Sequence, residues 1–356
     1  MKIIVQKFIH LYRRLSPAFR RRIIGIFILL ALLNISVWVF AFWESARNPT
    51  LIGLVLLAYG LGLRHAVDAD HIAAIDNTTR KLMQEGKRPV AVGFFFSLGH
   101  STIVILLSIL IALSASFVTK NLPSLQALGS IIGTAVSSFF LLMIGIINLV
   151  TLIDIFKIWS RVTRGKISNE KEIHEHLNTK GFLARLFMPF LRAVSNSWNM
   201  YFVGFLFGLG FDTASEVGLL SLSAATAAKG TSLWAILLLP FAFTAGMSLI
   251  DTLDGILMLG AYGWAYLNPV RKLYYNMNIT LISVIIALCI GGIEAIQLLS
   301  SQLHLTGPVF QYIQNMNFGS FGYLIIVAFI VSWIISITVY RIKGYDKIDL
   351  NKVRTH

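Results

Sequence analysis

A chain of 356 residues, 56% hydrophobic and only 13% charged, with a mean hydropathy of +0.75, is too apolar for a soluble domain of ordinary composition. It reads as a polytopic membrane protein. The net charge of +14 would suggest a nucleic-acid partner in a soluble protein, but the placement of the charges gives a different explanation and no nucleic acid is expected.

In chain order, a basic N-tail (1–22) precedes four spans within 23–155, at 23–43, 50–79, 89–118 and 127–155. A charged loop (156–196) leads to four more within 197–341, at 197–228, 233–263, 272–300 and 318–341, and a C-tail (342–356) follows. The fold class is therefore all-α, with eight transmembrane helices. If the N-terminus is inside, Lys and Arg number seven in the N-tail, four in 80–88, eight in 156–196, two in 264–276 and five from Arg341 onward. Outer loops hold only Arg47, Lys120 and Lys229, so both termini are expected in the cytoplasm of a cell whose inner membrane holds the protein.

The first span follows seven basic residues but lacks a cleavage pattern, and Trp38, Phe40, Phe42 and Trp43 form an interfacial aromatic belt, so it reads as a permanent helix. The 156–196 loop, with His174 and His176, is too short for a catalytic domain and reads as a solvated charged segment. Cys289, the single cysteine, lies in an apolar run and reads as a small core residue, leaving no disulfide or thiolate metal site.

The chain repeats itself. GLGLRHAVD from Gly60 matches GLGFDTASE from Gly208 at an offset of 148, and FFFSLGHSTIV from Phe94 matches FAFTAGMSLID from Phe241 at an offset of 147. Spans 2–3 and 5–6 are thus expected to be an inverted repeat, because a three-span offset reverses direction across the membrane. Such repeats belong to alternating-access transporters, with the site at the repeat interface. Glycines at 60–62 and 208–210 predict broken helices there; close helix packing is the other reading.

Charge at mid-bilayer costs roughly 2.5–3.5 kcal/mol per residue, yet span 2 carries Arg64, His65, Asp68, Asp70, His71, Asp76 and Asn77. Span 3 adds His100, span 5 Asp212 and Glu216, span 6 Asp251 and Asp254, and span 7 Glu294. On a helix His65, Asp68 and His71 are i,i+3 neighbours, and a tightened 3₁₀-like turn would bring the three into line. Imidazoles with carboxylates and no thiolate suit borderline divalent ions such as nickel, cobalt or zinc. His65, Asp68, His71 and His100 are the expected ligands. Met247, which aligns with His100, offers a sulfur but is more ordinarily a packing residue, and Asp70 is the expected orienter of a ligating imidazole. Buried ion pairing is the competing account, and Arg64, aligned with Asp212 in the repeat, is expected to pair with it.

These residues resemble the nickel/cobalt transporter (NiCoT) family of permeases. The matching blocks are RHAVDADHI at 64–72, FSLGHSTIV at 96–104, LGFDTASE at 209–216 and GMSLIDTLD at 246–254. The resemblance implies a secondary importer of Ni²⁺ and/or Co²⁺ with its recognition site in span 2 and no prosthetic group. It implies metal-critical positions at His65, Asp68, Asp70, His71 and His100, with Asp212, Glu216, Asp251 and Asp254 from the later blocks. Two other classes stay open from the residues alone. One is a membrane enzyme, either a metal-dependent hydrolase or an acyltransferase built on the H-x4-D pair His65 and Asp70. The other is a divalent-cation channel with an acidic ring at Asp251 and Asp254.

Overall fold

A computed structural model describes residues 17–113, 115–164, 194–210, 213–228, 230–265, 269–316 and 321–344. Among them every regular element is helical. In chain order these are α1 (Pro17–Ser45), α2 (Leu51–His65), α3 (Ala69–Gln84), α4 (Val92–Leu113) and α5 (Ala115–Thr163). A 3₁₀ turn (Ser197–Asn199) opens α6 (Met200–Phe207), followed by α7 (Ala214–Ala228), α8 (Leu233–Ala265), α9 (Pro269–Gln302), α10 (Pro308–Gln314) and α11 (Phe321–Ile342).

Six of these helices, α1, α4, α5, α8, α9 and α11, contain stretches long and apolar enough to cross a bilayer. α2 and α3 pass the same test only as a pair, bent by 54°. Expected span 5 is divided into α6 and α7 around Gly208–Gly210. α10 was not anticipated. It lies across the end of α9, where the Gln297 side-chain amide donates to the Ile313 carbonyl at 2.7 Å.

α8 sits at the centre, packed on α1, α2, α3, α4, α7 and α9. α1 and α11 are peripheral: Leu32, Ile35, Val39 and Phe42 on one, and Leu324, Val327, Ile334 and Ile335 on the other, are exposed apolar side chains of the kind that face lipid tails. Cys289 belongs to such a face of α9 rather than to the core, a correction to the sequence reading. An apolar run cannot say which side of a helix meets protein and which meets lipid.

The first expected break is also misplaced. α2 runs through Gly60 and Gly62 and ends at His65. Gly60 meets nothing, whereas a Cβ on Gly62 would collide with the Phe243 carbonyl of α8, so Gly62 serves close packing. The break follows at residues 66–68. There the Val67 and Asp68 amides donate to the Arg64 and His65 carbonyls in 3₁₀ fashion, and Asp68 turns extended (φ −67°, ψ 148°) to start α3.

Tight backbone contacts come in matched pairs. Gly62 backs onto Phe243, and Gly204 onto Phe96 in the same way; Gly246 meets Tyr59, and Gly99 meets Tyr201. Gly145 of α5 faces Ala287 and Leu288 of α9, while Gly291 of α9 faces Leu141 and Leu142 of α5. In residue numbers the partners are offset by 142 between α2 and α6, by 147 between α4 and α8, and by 146 between α5 and α9.

Candidate metal site

The bend in the α2–α3 pair gathers the titratable side chains. His65 is the last residue of α2, and His71 lies in the first turn of α3 beyond the extended Asp68. His100 comes from α4, one turn after Phe96. One ring nitrogen from each of His65, His71 and His100 lies within 4.8 Å of the others, and all three residues are buried. The Nε2 atoms of His65 and His100 are 3.0 Å apart. At metal–nitrogen distances of about 2.1 Å, adjacent octahedral ligands stand about 3.0 Å apart and tetrahedral ones about 3.4 Å apart. Two of the rings therefore already have the spacing of ligands to one ion, and the third is within about 1–2 Å of it.

Two carboxylates lie at the Nδ1 sides of the His65 and His71 rings. Asp68 Oδ2 is 3.1 Å from His65 Nδ1, and its Oδ1 accepts from the Arg64 guanidinium at 2.6 Å. Asp251 of α8 places both oxygens 3.4 Å from His71 Nδ1. That leaves His71 Nε2 buried without a hydrogen-bond partner among the described residues. A carboxylate on Nδ1 with Nε2 directed elsewhere is how proteins commonly orient a ligating imidazole. Glu216, in the first turn of α7, brings Oε1 to 2.8 Å from His100 Nε2 and 3.9 Å from His65 Nε2, and its Oε2 accepts from the Thr213 hydroxyl at 2.7 Å. The site thus draws on α2, α3, α4, α7 and α8.

Aromatic rings bound it on two sides. Phe243 packs on His65 with centroids 5.4 Å apart, and Phe96 meets His71 edge-on at 4.8 Å. Both phenylalanines are fully buried and stand at matching positions of the two repeated blocks.

Several expected roles change with these positions. Asp70 does not reach an imidazole nitrogen; its Oδ1 accepts the backbone N–H of His71 at 2.9 Å, an N-terminal helix contact. The H-x4-D pair of an acyltransferase is therefore not assembled, since His65 meets Asp68. Arg64 pairs with Asp68 and approaches Ser215 Oγ at 3.3 Å. Its expected partner Asp212 lies outside the described residues, as do His174 and His176. Met247 is buried in the apolar cluster that holds Ala58, Ala66 and Phe243.

Asp76 and Asn77, expected in a supporting or transit role, lie away from the imidazoles in a second polar cluster whose other members, Arg80 and Asn148, the sequence reading missed. Arg80, counted with the cytoplasmic loop, is 1% exposed, and its guanidinium lies 3.4 Å from Asp76 Oδ2 and 3.0 Å from Asn77 Oδ1. Asn148 of α5 donates to Asn77 Oδ1 at 2.8 Å. The i,i+4 spacing of Asp76 and Arg80 was the available signal, together with Asn148 as an amide in an apolar span.

Comparison with known proteins places the chain in a family. A family model described as NicO, high-affinity nickel-transport protein, matches residues 51–339. A high-affinity nickel transport protein of Cupriavidus necator is 51% identical over 92% of this chain and 94% of its own. The nickel transporter NixA of Staphylococcus aureus is 45% identical over 89% and 93%, and the cobalt transport protein NhlF of Rhodococcus rhodochrous is 41% identical over 88% and 91%. No solved structure matches the chain. With several apolar helices of spanning length and a match of this extent, the chain is a multi-pass membrane protein that belongs to the NicO family of high-affinity nickel-transport proteins.

Proposed function

We propose that the protein imports Ni²⁺ and/or Co²⁺ across the cytoplasmic membrane as a secondary transporter, capturing the ion at His65, His71 and His100. The observation that carries this is the meeting of three buried imidazoles at a helix break. Relatives named for nickel, and one named for cobalt, support the choice of cargo. Asp68 and Asp251 position His65 and His71 through Nδ1, and Glu216 adds a carboxylate oxygen and negative charge to the same centre. Asp68 thus takes the orienting role that the sequence suggested for Asp70.

Eight spans with both termini inside follow from counting the bent α2–α3 and divided α6–α7 as one span each, together with the Lys and Arg distribution. The matched glycine contacts support an inverted repeat in which α2–α3, α4 and α5 correspond to α6–α7, α8 and α9. In that arrangement the ion site lies where the two copies meet, and rocking of one copy against the other opens it to alternate sides. Phe243 and Phe96, as equivalents in inverted copies, lie on opposite sides of the ion, the first toward the outside and the second toward the cytoplasm. An inside-negative potential drives a divalent cation inward by about 4.6 kcal/mol per 100 mV.

Uptake of radiolabelled Ni²⁺ and Co²⁺, each with the other as competitor, tests the reading in wild type and His71→Ala. Saturable uptake lost in the variant is expected. Undiminished transport by His71→Ala at equal protein level contradicts it.

A further inference from the structure

The second polar cluster lies farther along the same two helices that present His71 and Asp251. Asp76 follows His71 by five residues of α3, about 7.5 Å along the axis, and Asp254 follows Asp251 by one turn of α8. The helices pack closely at this level: a Cβ on Gly255 would stand 3.5 Å from Ile75 Cγ2. Asp254 has both Asp76 and Asp251 as charged neighbours.

The charges here do not balance. Asp251 is engaged with His71, and Asp76 with Arg80 at a long 3.4 Å. Asp254 has no cationic partner among the described residues, and its Oδ2 is buried without a donor. Asn148, fully buried, donates through Nδ2 to Asn77 while its Oδ1 also lacks a donor. Buried acceptor oxygens without donors are costly, and a carboxylate among them most of all. Arg80 is held by Asn77 and by the Ile279 carbonyl of α9 at 3.3 Å as well as by Asp76, so it keeps two partners if Asp76 is taken from it.

We propose that Asp254, Asp76 and Asn148 Oδ1 form a second divalent-cation station, inward of the histidine site, with Arg80 as a counter-ion that gives up Asp76 when the metal arrives. The direction "inward" rests on the transport reading above. Oxygen ligands hold a borderline ion more weakly than imidazoles do, and Arg80 weakens the station further by like-charge repulsion. A weak station next to a tight one suits release, because an ion that must leave cannot be held strongly at the last step.

The test uses the full-length protein in lipid nanodiscs, with one equivalent of Ni²⁺ added first and Mn²⁺ then titrated, bound Mn²⁺ being read by electron paramagnetic resonance. Mn²⁺ favours oxygen ligands and low-affinity sites. One saturable Mn²⁺ per chain is expected, with affinity about tenfold or more weaker in Asp254→Asn and about tenfold tighter in Arg80→Gln. Asn148→Asp, which adds a carboxylate without removing Arg80, also tightens it and serves if Arg80→Gln does not fold. In Asp254→Asn, Ni²⁺ binding at the histidines is retained while uptake slows. Absence of saturable Mn²⁺ binding, or binding indifferent to Asp254→Asn, overturns the second station. Ni²⁺ affinity left unchanged by His71→Ala overturns the histidine reading instead, so the two failures are distinguishable.

Discussion

Replacing Asp251 by asparagine isolates the positioning of His71 from its ligation. The carboxylate lies 3.4 Å from His71 Nδ1 through both oxygens, with each residue fully buried. Asparagine keeps the volume but replaces an anionic acceptor with an amide, which no longer fixes the proton on Nδ1 or enriches electron density at Nε2. Loss of such a partner weakens metal binding by roughly 10–100-fold, or about 1.4–2.7 kcal/mol. Charge-assisted bonds at full strength are about 2.7–2.9 Å long, and the longer contact here places the expected loss near the lower end, about tenfold. Calorimetric titration of Ni²⁺ into purified wild type, Asp251→Asn and His71→Ala gives the comparison, and the alanine variant, lacking a ligand, is expected to lose considerably more. Wild-type affinity in Asp251→Asn refutes the positioning role. A loss equal to that of His71→Ala refutes it too, since Asp251 would then be a ligand itself.

Three further outcomes follow. Imidazole must be neutral to ligate, so protons compete with metal, and Ni²⁺ affinity is expected to fall as pH is lowered, with protons taken up as the ion is released; a flat profile down to pH 5 contradicts three-histidine ligation. Gly60→Ala is expected to be neutral or slightly stabilising, because nothing lies near its Cβ position, whereas Gly62→Ala collides with the Phe243 backbone and is expected to lower the unfolding temperature and cut uptake; equal behaviour of the two variants removes the packing role of Gly62. Arg64→Gln frees Asp68 from its 2.6 Å partner on a side chain that is one-third exposed, so Ni²⁺ affinity is expected to change by no more than roughly fivefold, and a complete loss shows a larger role for Arg64.

The helices were legible because apolar runs of spanning length have one simple physical cause, the thickness of the hydrocarbon layer. The three histidines were legible for the same reason in reverse, since groups so costly in lipid stand out against the rest of span 2 and span 3. What the sequence hid was direction and register. Gly60 and Gly62 look alike in a string, yet only one touches a neighbouring backbone. The bend comes after them, where Asp68 adopts an extended conformation between two helices with its side chain held by Arg64 and His65. Asp68, expected as a ligand, and Asp70, expected beside an imidazole, differ by two positions, yet Asp68 is the one that projects toward His65 Nδ1 while Asp70 turns to a backbone amide.

The proposed repeat was legible in part for a similar reason. Blocks around Phe94 and Phe241 share an offset of 147 that contacts also obey, but the Gly60 and Gly208 alignment at 148 does not match the packing of α2 and α6, where Tyr59 and Gly62 correspond to Tyr201 and Gly204. On the proposed repeat, the second helix break carries extra residues that shift the register, so a motif match across the break pairs glycines that do not pack alike. The α5–α9 pair, LLMIGII at 141–147 against ALCIGGI at 287–293, carried enough identity to be found and was hidden among ordinary apolar residues.

The most direct measurement is X-ray absorption at the nickel edge on protein loaded with one equivalent of Ni²⁺. Outer-shell scattering from about three imidazoles is expected in wild type, with one fewer in each of His65→Ala, His71→Ala and His100→Ala. A spectrum without imidazole scattering, or one unchanged by these substitutions, contradicts the histidine site.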